Sequence, residues 1–103
     1  MSDALGLIEA IGYAPSMAAV DAACKCAEVE FLGLETVIGA GGKASVVVKF
    51  RGEVATVTTA VEAGLAAARS VGEVLAWRVM PRPHESLSRL IWSEETQASI
   101  ICR

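Results

Sequence analysis

Apolar and polar positions change period along the chain, and the changes predict four strands and two long helices. Ala4-Leu5-Gly6-Leu7-Ile8-Glu9-Ala10 is short and apolar and reads as a first strand. Gly12 and Pro15 punctuate the turn after it, and Pro15 with Ser16 beside it suits helix initiation. From Met17 to about Val29 the spacing is helical, with Met17, Val20, Ala23, Cys24 and Ala27 on one face. Asp21, Lys25 and Glu28 share the other face. Asp21 and Lys25 stand four apart, which predicts an ion pair of a few tenths of a kcal/mol.

Phe31-Leu32-Gly33-Leu34-Glu35-Thr36-Val37-Ile38 reads as a second strand, and the β-branched Ala44-Ser45-Val46-Val47-Val48-Lys49-Phe50 as a third. Between them lies Gly39-Ala40-Gly41-Gly42-Lys43, the most flexible stretch of the sequence, so the two strands form a hairpin with a glycine tip. Arg51-Gly52 reads as a turn. Glu53 opens a second helix with negative charge at its favourable end. Val54, Val57, Val61, Leu65 and Ala68 give it an apolar stripe, Arg69 lies in its last turn and Gly72 is its C-cap. Glu73-Val74-Leu75-Ala76-Trp77-Arg78-Val79-Met80 is a last strand. Pro81-Arg82-Pro83-His84 is a rigid turn, since two prolines deny a ladder its donors. A short helix is expected over 85–91, and 92–103 has no clear pattern. The order β-α-β-β-α-β is the split βαβ arrangement of ferredoxin-like α+β (α/β) domains, an antiparallel sheet with both helices on one face.

Composition sharpens this picture in one respect. The chain has 103 residues, enough for one domain, and 53% of them are hydrophobic. Mean hydropathy is +0.49, high for a small monomer with so much surface relative to its volume. Burying the excess against copies of itself is the usual solution. Alanine and valine dominate, and aromatics are only 5%, which suits close backbone packing. The net charge of −3 leaves no basic surplus for phosphates, so nucleic acid is not an expected partner. No apolar run approaches the roughly 18 residues that cross a bilayer, so no membrane is expected either. Met1-Ser2-Asp3-Ala4 lacks the basic and apolar regions of a secretory signal, and cytosolic residence is the default expectation.

Candidate chemistry is sparse. The glycine loop does not lead into a helix, so it is neither a dinucleotide fingerprint nor a phosphate-binding P-loop. It reads as a hairpin tip, or as a backbone-lined site for an anion or polar ligand. Cys24, Cys26 and Cys102 lack metal or redox spacing. On a helix, Cys24 and Cys26 point to different faces; Cys24 reads as a small core residue and Cys26 as incidental. His84, the sole histidine, reads as a turn residue making a structural hydrogen bond. The acids are scattered, with no close pair for acid–base work. Trp77 reads as core or interface packing, and Trp92 as docking on a neighbouring surface. No catalytic residue, metal or cofactor is expected.

Several segments, taken in order, resemble the bacterial microcompartment (BMC-domain) shell proteins. They are Ala4-Leu5-Gly6-Leu7-Ile8-Glu9, Asp21-Ala22-Ala23-Cys24-Lys25, Arg51-Gly52-Glu53-Val54, Ala63-Gly64-Leu65-Ala66-Ala67-Ala68, Gly72-Glu73-Val74 and Val79-Met80-Pro81-Arg82-Pro83-His84. The resemblance implies a BMC shell domain over 4–91, with 92–103 a C-terminal tail of unknown role. It implies a non-enzymatic cyclic homohexamer in the bacterial cytoplasm, tiling with neighbouring and paralogous hexamers into a shell around sequestered enzymes. A central pore for small polar metabolites is implied, lined by Ile38, Gly39, Ala40, Gly41 and Gly42. Lys25 matches the family's edge lysine at the hexamer–hexamer seam, and Arg82 the arginine that reaches into a pocket of the adjoining hexamer. The stretch between Ile38 and Arg51 is a few residues longer than in the commonest members, and Gly42-Lys43 falls in it. Six copies of Lys43 facing the axis would favour anions, but their mutual repulsion argues for an outward pose. The loop carries no cysteine, so the iron–sulfur site of some relatives is not implied.

Two other readings compete with the shell tile. One is a non-catalytic regulatory domain of ferredoxin-like fold that binds a small effector between subunits; a dimer or trimer rather than a hexamer would favour it. The other is a small enzyme using His84 or Cys26, for which the sequence offers no supporting constellation.

Overall fold

The computed structural model describes residues 3–39, 42–91 and 100–102. The elements run β1 (Ala4–Ile11), α1 (Tyr13–Cys26), β2 (Glu30–Ile38), β3 (Ala44–Gly52), α2 (Val54–Val71) and β4 (Val74–Met80). A 3₁₀ turn (Glu85–Leu87), a short α3 (Ser88–Ile91) and a two-residue β5 (Ile100–Ile101) follow. The strands form one antiparallel sheet in the order β4-β1-β3-β2-β5, the expected split βαβ topology with an extra strand on the β2 edge. The 92–99 stretch, Trp92 included, lies outside the described residues.

Both helices cover the same face of the sheet and pack on each other. Alternation decides which residues they bury. Ala4, Ile8 and Ala10 of β1 and Val46, Val48 and Phe50 of β3 join Ala19, Ala23, Val57, Ala60, Val61, Leu65 and Ala68 in the main core. Glycine makes the layers close. A Cβ on Gly6 would stand 2.7 Å from Val61 Cγ2, and one on Gly64 would stand 3.1 Å from the Ala19 carbonyl oxygen. Residues of the alternate register face the other side, where Leu5, Leu32 and Ile91 form a second cluster with Leu7, Met80 and Leu87. The α3 segment therefore lies over the face that α1 and α2 leave open.

Several boundaries and packing assignments differ from the sequence expectation. The first helix begins at Tyr13 and ends at Cys26 rather than running from Met17 to about Val29. Gly12 takes a left-handed φ of 95°, which turns the chain early, and the Ser16 hydroxyl donates back to the Gly12 carbonyl at 2.9 Å. At the other end Val29 is drawn into the core and Glu30 pairs with Arg51, so burial and strand pairing stop the helix. Arg51-Gly52 is not a turn but the end of β3. Gly72 is the C-cap of α2, as the sequence predicts, in an extended conformation with its N–H donating to the Ala68 carbonyl. Val54 is exposed, so the buried stripe of α2 starts at Val57 and includes Ala60 and Gly64. Trp77 is not core: it stands opposite Ile8 but is 50% exposed, because β4 is the sheet's edge strand.

Cys24 is not a free core thiol. It forms a disulfide with Cys102, 78 positions away, with the two Cα atoms 4.9 Å apart. Cys26 is free and exposed.

Candidate functional site

The hairpin between β2 and β3 is held at its root. Ile38 pairs with Ala44 at the end of the ladder, and the Gly39 N–H donates to the Lys43 carbonyl at 3.0 Å. Gly42 has φ 75°, a left-handed conformation that closes the loop and suits glycine. Gly39 needs no such freedom; among the described residues, a Cβ there would meet the Lys43 carbonyl oxygen at 3.8 Å. Ile38 is 83% exposed, so the strand end projects an apolar side chain out of the protomer. Ala40 and Gly41, the other expected loop residues, lie outside the described residues.

Below the tip, the buried Ser45 donates its hydroxyl to Glu9 Oε2 at 2.6 Å and lies 3.4 Å from the Val37 carbonyl oxygen. That bond ties the hairpin to the central strand β1. The Ile11 N–H donates to the Glu73 carbonyl at 2.9 Å, which brings the start of β4 to the same end of the sheet. An open groove of about 510 Å³ runs there between Glu9, Ile11, Gly39, Lys43, Ser45 and Glu73. Neither Glu9 nor Ser45 was singled out by sequence reasoning. The available signal was a polar residue in an apolar strand, on the register opposite the core.

The two expected edge residues stand on different elements. Lys25 is in the last turn of α1, its side chain 76% exposed, its ammonium 3.0 Å from Asp21 Oδ2 as the spacing predicted. A pair this exposed adds little to stability and leaves the lysine available. Arg82 is exposed in the turn that leaves β4, next to the buried Pro83. His84 completes that turn: its Nδ1 accepts the Ser86 N–H at 3.1 Å and caps the 3₁₀ turn.

A buried charge that sequence reasoning did not single out lies on the sheet face away from α1 and α2. Lys49 is 3% exposed; its ammonium donates to the Ile91 carbonyl at 3.3 Å and lies 3.7 Å from Glu35 Oε2. It anchors α3 over β3. Among the described residues no three His, Cys, Asp or Glu side chains group as a metal site, and no helix is long and apolar enough to cross a membrane.

The sequence profile of the BMC domain matches residues 4–83, most of the chain. This protein belongs to the BMC-domain family. The chain is 42% identical over 89 residues to the bacterial microcompartment shell protein PduA of Citrobacter freundii, covering 86% of this chain and 91% of that one. It is 38% identical over 100 residues to the carboxysome shell protein CcmK2 of Synechococcus elongatus, covering 95% and 94%. The shell protein EutM of Escherichia coli K12 is 39% identical over 88 residues, covering 85% and 87%. Among solved structures, a microcompartment protein from Desulfitobacterium hafniense superposes with a TM-score of 0.75 at 34% identity, over 86% of this chain. The BMC domain described here spans about half of that longer chain, 48% of its length. These relatives do not favour the regulatory effector-binding domain.

Proposed function

We propose that this chain is a structural shell protein of a bacterial microcompartment. It assembles as a cyclic homohexamer, tiles with neighbouring and paralogous hexamers, and passes small polar metabolites through a pore rimmed by residues 38–42. The observation that carries this reading is apolar surface on β4, an edge strand paired with β1 on one side and with no strand on its outer side among the described residues. Leu75 and Trp77 of β4 are about half exposed. A monomer gains nothing by keeping such a strand bare, and a partner protomer removes that area from water.

The hairpin supports the pore half. Its root is pinned by Ser45 and Glu9, while its tip is built from residues without bulky side chains. Six such tips can approach an axis, leave an opening and offer backbone donors to polar solutes. Lys25 and Arg82 are exposed and serve as seam residues between hexamers. Residues 4–91 form the shell domain and 92–103 the tail. The protomer works as wall and channel in the bacterial cytoplasm, around encapsulated enzymes, rather than as an enzyme itself, and it takes no cofactor.

Native mass spectrometry of the full chain tests the assembly. Six protomers per particle are expected. A monomer at high protein concentration overturns the reading, as does a ring whose density places the hairpin far from its axis.

A further inference from the structure

The end of the chain is tied to the body by a short ladder and a covalent bond. Ile100 and Ile101 pair with Phe31 and Glu30 on the outer edge of β2. The Cys102 N–H donates to the Val29 carbonyl at 2.9 Å. Cys102 is buried in the main core cluster and bonded to Cys24 on α1. A two-residue strand is shorter than strands that hold their own place in a sheet. The net gain from each of its hydrogen bonds is no larger than the entropy lost in ordering the residue that makes it. The disulfide adds a covalent hold to the little that this ladder and the burial of Cys102 supply. Cys24 is partly buried and Cys102 is 5% exposed, so an external thiol reaches the bond as the chain end opens.

We propose that the Cys24–Cys102 disulfide is a redox latch that holds residues 100–102 over the outer edge of β2 and releases them on reduction. The reductant is a dithiol. Its thiolate attacks one sulfur of the bond, the other protein sulfur leaves as a thiolate and takes a proton, and the second thiol of the reductant resolves the mixed disulfide. Two electrons and two protons pass to the protein, which ends with two thiols while the dithiol ends as its own disulfide. Release bares the backbone groups of β2 at residues 29–31, an edge to which another strand can add. The bond closes in an oxidising enclosure and opens in a reducing one. The latch works within one protomer and does not depend on assembly into a hexamer.

The test uses the full chain, equilibrated with glutathione disulfide, then denatured, alkylated and weighed intact. One alkylated cysteine, Cys26, is expected, rising to three after dithiothreitol. Hydrogen exchange of the folded protein is then followed with and without dithiothreitol. Exchange over 100–102 should quicken roughly tenfold or more on reduction, while peptides of α2 stay unchanged. Cys26→Ser should respond as the wild type does, and Cys102→Ser should exchange fast in both conditions. Three alkylated cysteines after oxidation, or exchange over 100–102 that ignores dithiothreitol, overturns the latch. If Cys102→Ser fails to fold, the wild-type comparison decides alone.

Discussion

Gly6→Ala is the smallest change that tests the layer packing. Gly6 lies on the central strand β1 between Phe50 of β3 and Val79 of β4, beneath α2. The added methyl would stand 2.7 Å from Val61 Cγ2 and 2.8 Å from Val57 Cγ1. Carbon contacts settle near 3.5–4.0 Å, so α2 must lift by roughly 0.8 Å or both valines must leave their rotamers. Both are fully buried and β-branched, hence stiff at χ1. Overpacking of this kind costs about 1–3 kcal/mol. Gly6 is not among the glycines with positive φ, so alanine returns about 0.4–1 kcal/mol by restricting the unfolded chain. The net expectation is a destabilisation of about 1.3 kcal/mol, from about 2 less about 0.7, and a urea midpoint lower by roughly 0.6 M at an unchanged slope of about 2 kcal/mol/M. Urea unfolding at one fixed protomer concentration measures it, since assembly makes stability concentration-dependent. Val57→Ala alone should cost about 2 kcal/mol through its cavity. In the double variant the new methyl fills part of that space, so the combined loss should fall short of the sum. A stabilising Gly6→Ala, or strict additivity in the pair, would refute the close packing of α2 on β1.

Two further predictions address the surfaces. Lys25→Ala breaks only an exposed pair with Asp21 and should shift stability by no more than about 0.5 kcal/mol. Its hexamers should survive while ordered sheets disappear by electron microscopy, and unchanged sheets would take Lys25 out of the seam. At Gly39 an added Cβ makes an ordinary contact with the described residues and meets no left-handed φ, which favours Gly39→Leu as a test. It should fold normally yet slow metabolite flux in an assembled shell, and unaltered flux would mean that the axis is lined elsewhere.

Much of the fold was legible because strands and helices print their periods on the sequence. The hairpin, the α2 stripe from Val57 to Ala68 and the Asp21–Lys25 pair follow from local spacing alone. Periodicity names a face but not what stands opposite it. Val54 and Trp77 sit in apolar patterns and still face outward, because none of the described residues covers them. Val29 extends the helical pattern of α1, yet burial and the pairing of Glu30 with Arg51 pull it out of the helix. Lys49 interrupts a run of valines, and only the fold shows it buried with its ammonium on the Ile91 carbonyl.

Local patterning therefore determined the element order, the sheet's buried face and the glycine tip, since each depends on residues a few positions apart. Only the tertiary structure decided the Cys24–Cys102 bond, the strand that covers β2, the anchoring of α3 by Lys49 and the bracing of the hairpin by Glu9 and Ser45. Those contacts join residues 36 to 78 positions apart, or edges that face one another only after the sheet has closed. No local spacing encodes such meetings; the topology of the chain creates them.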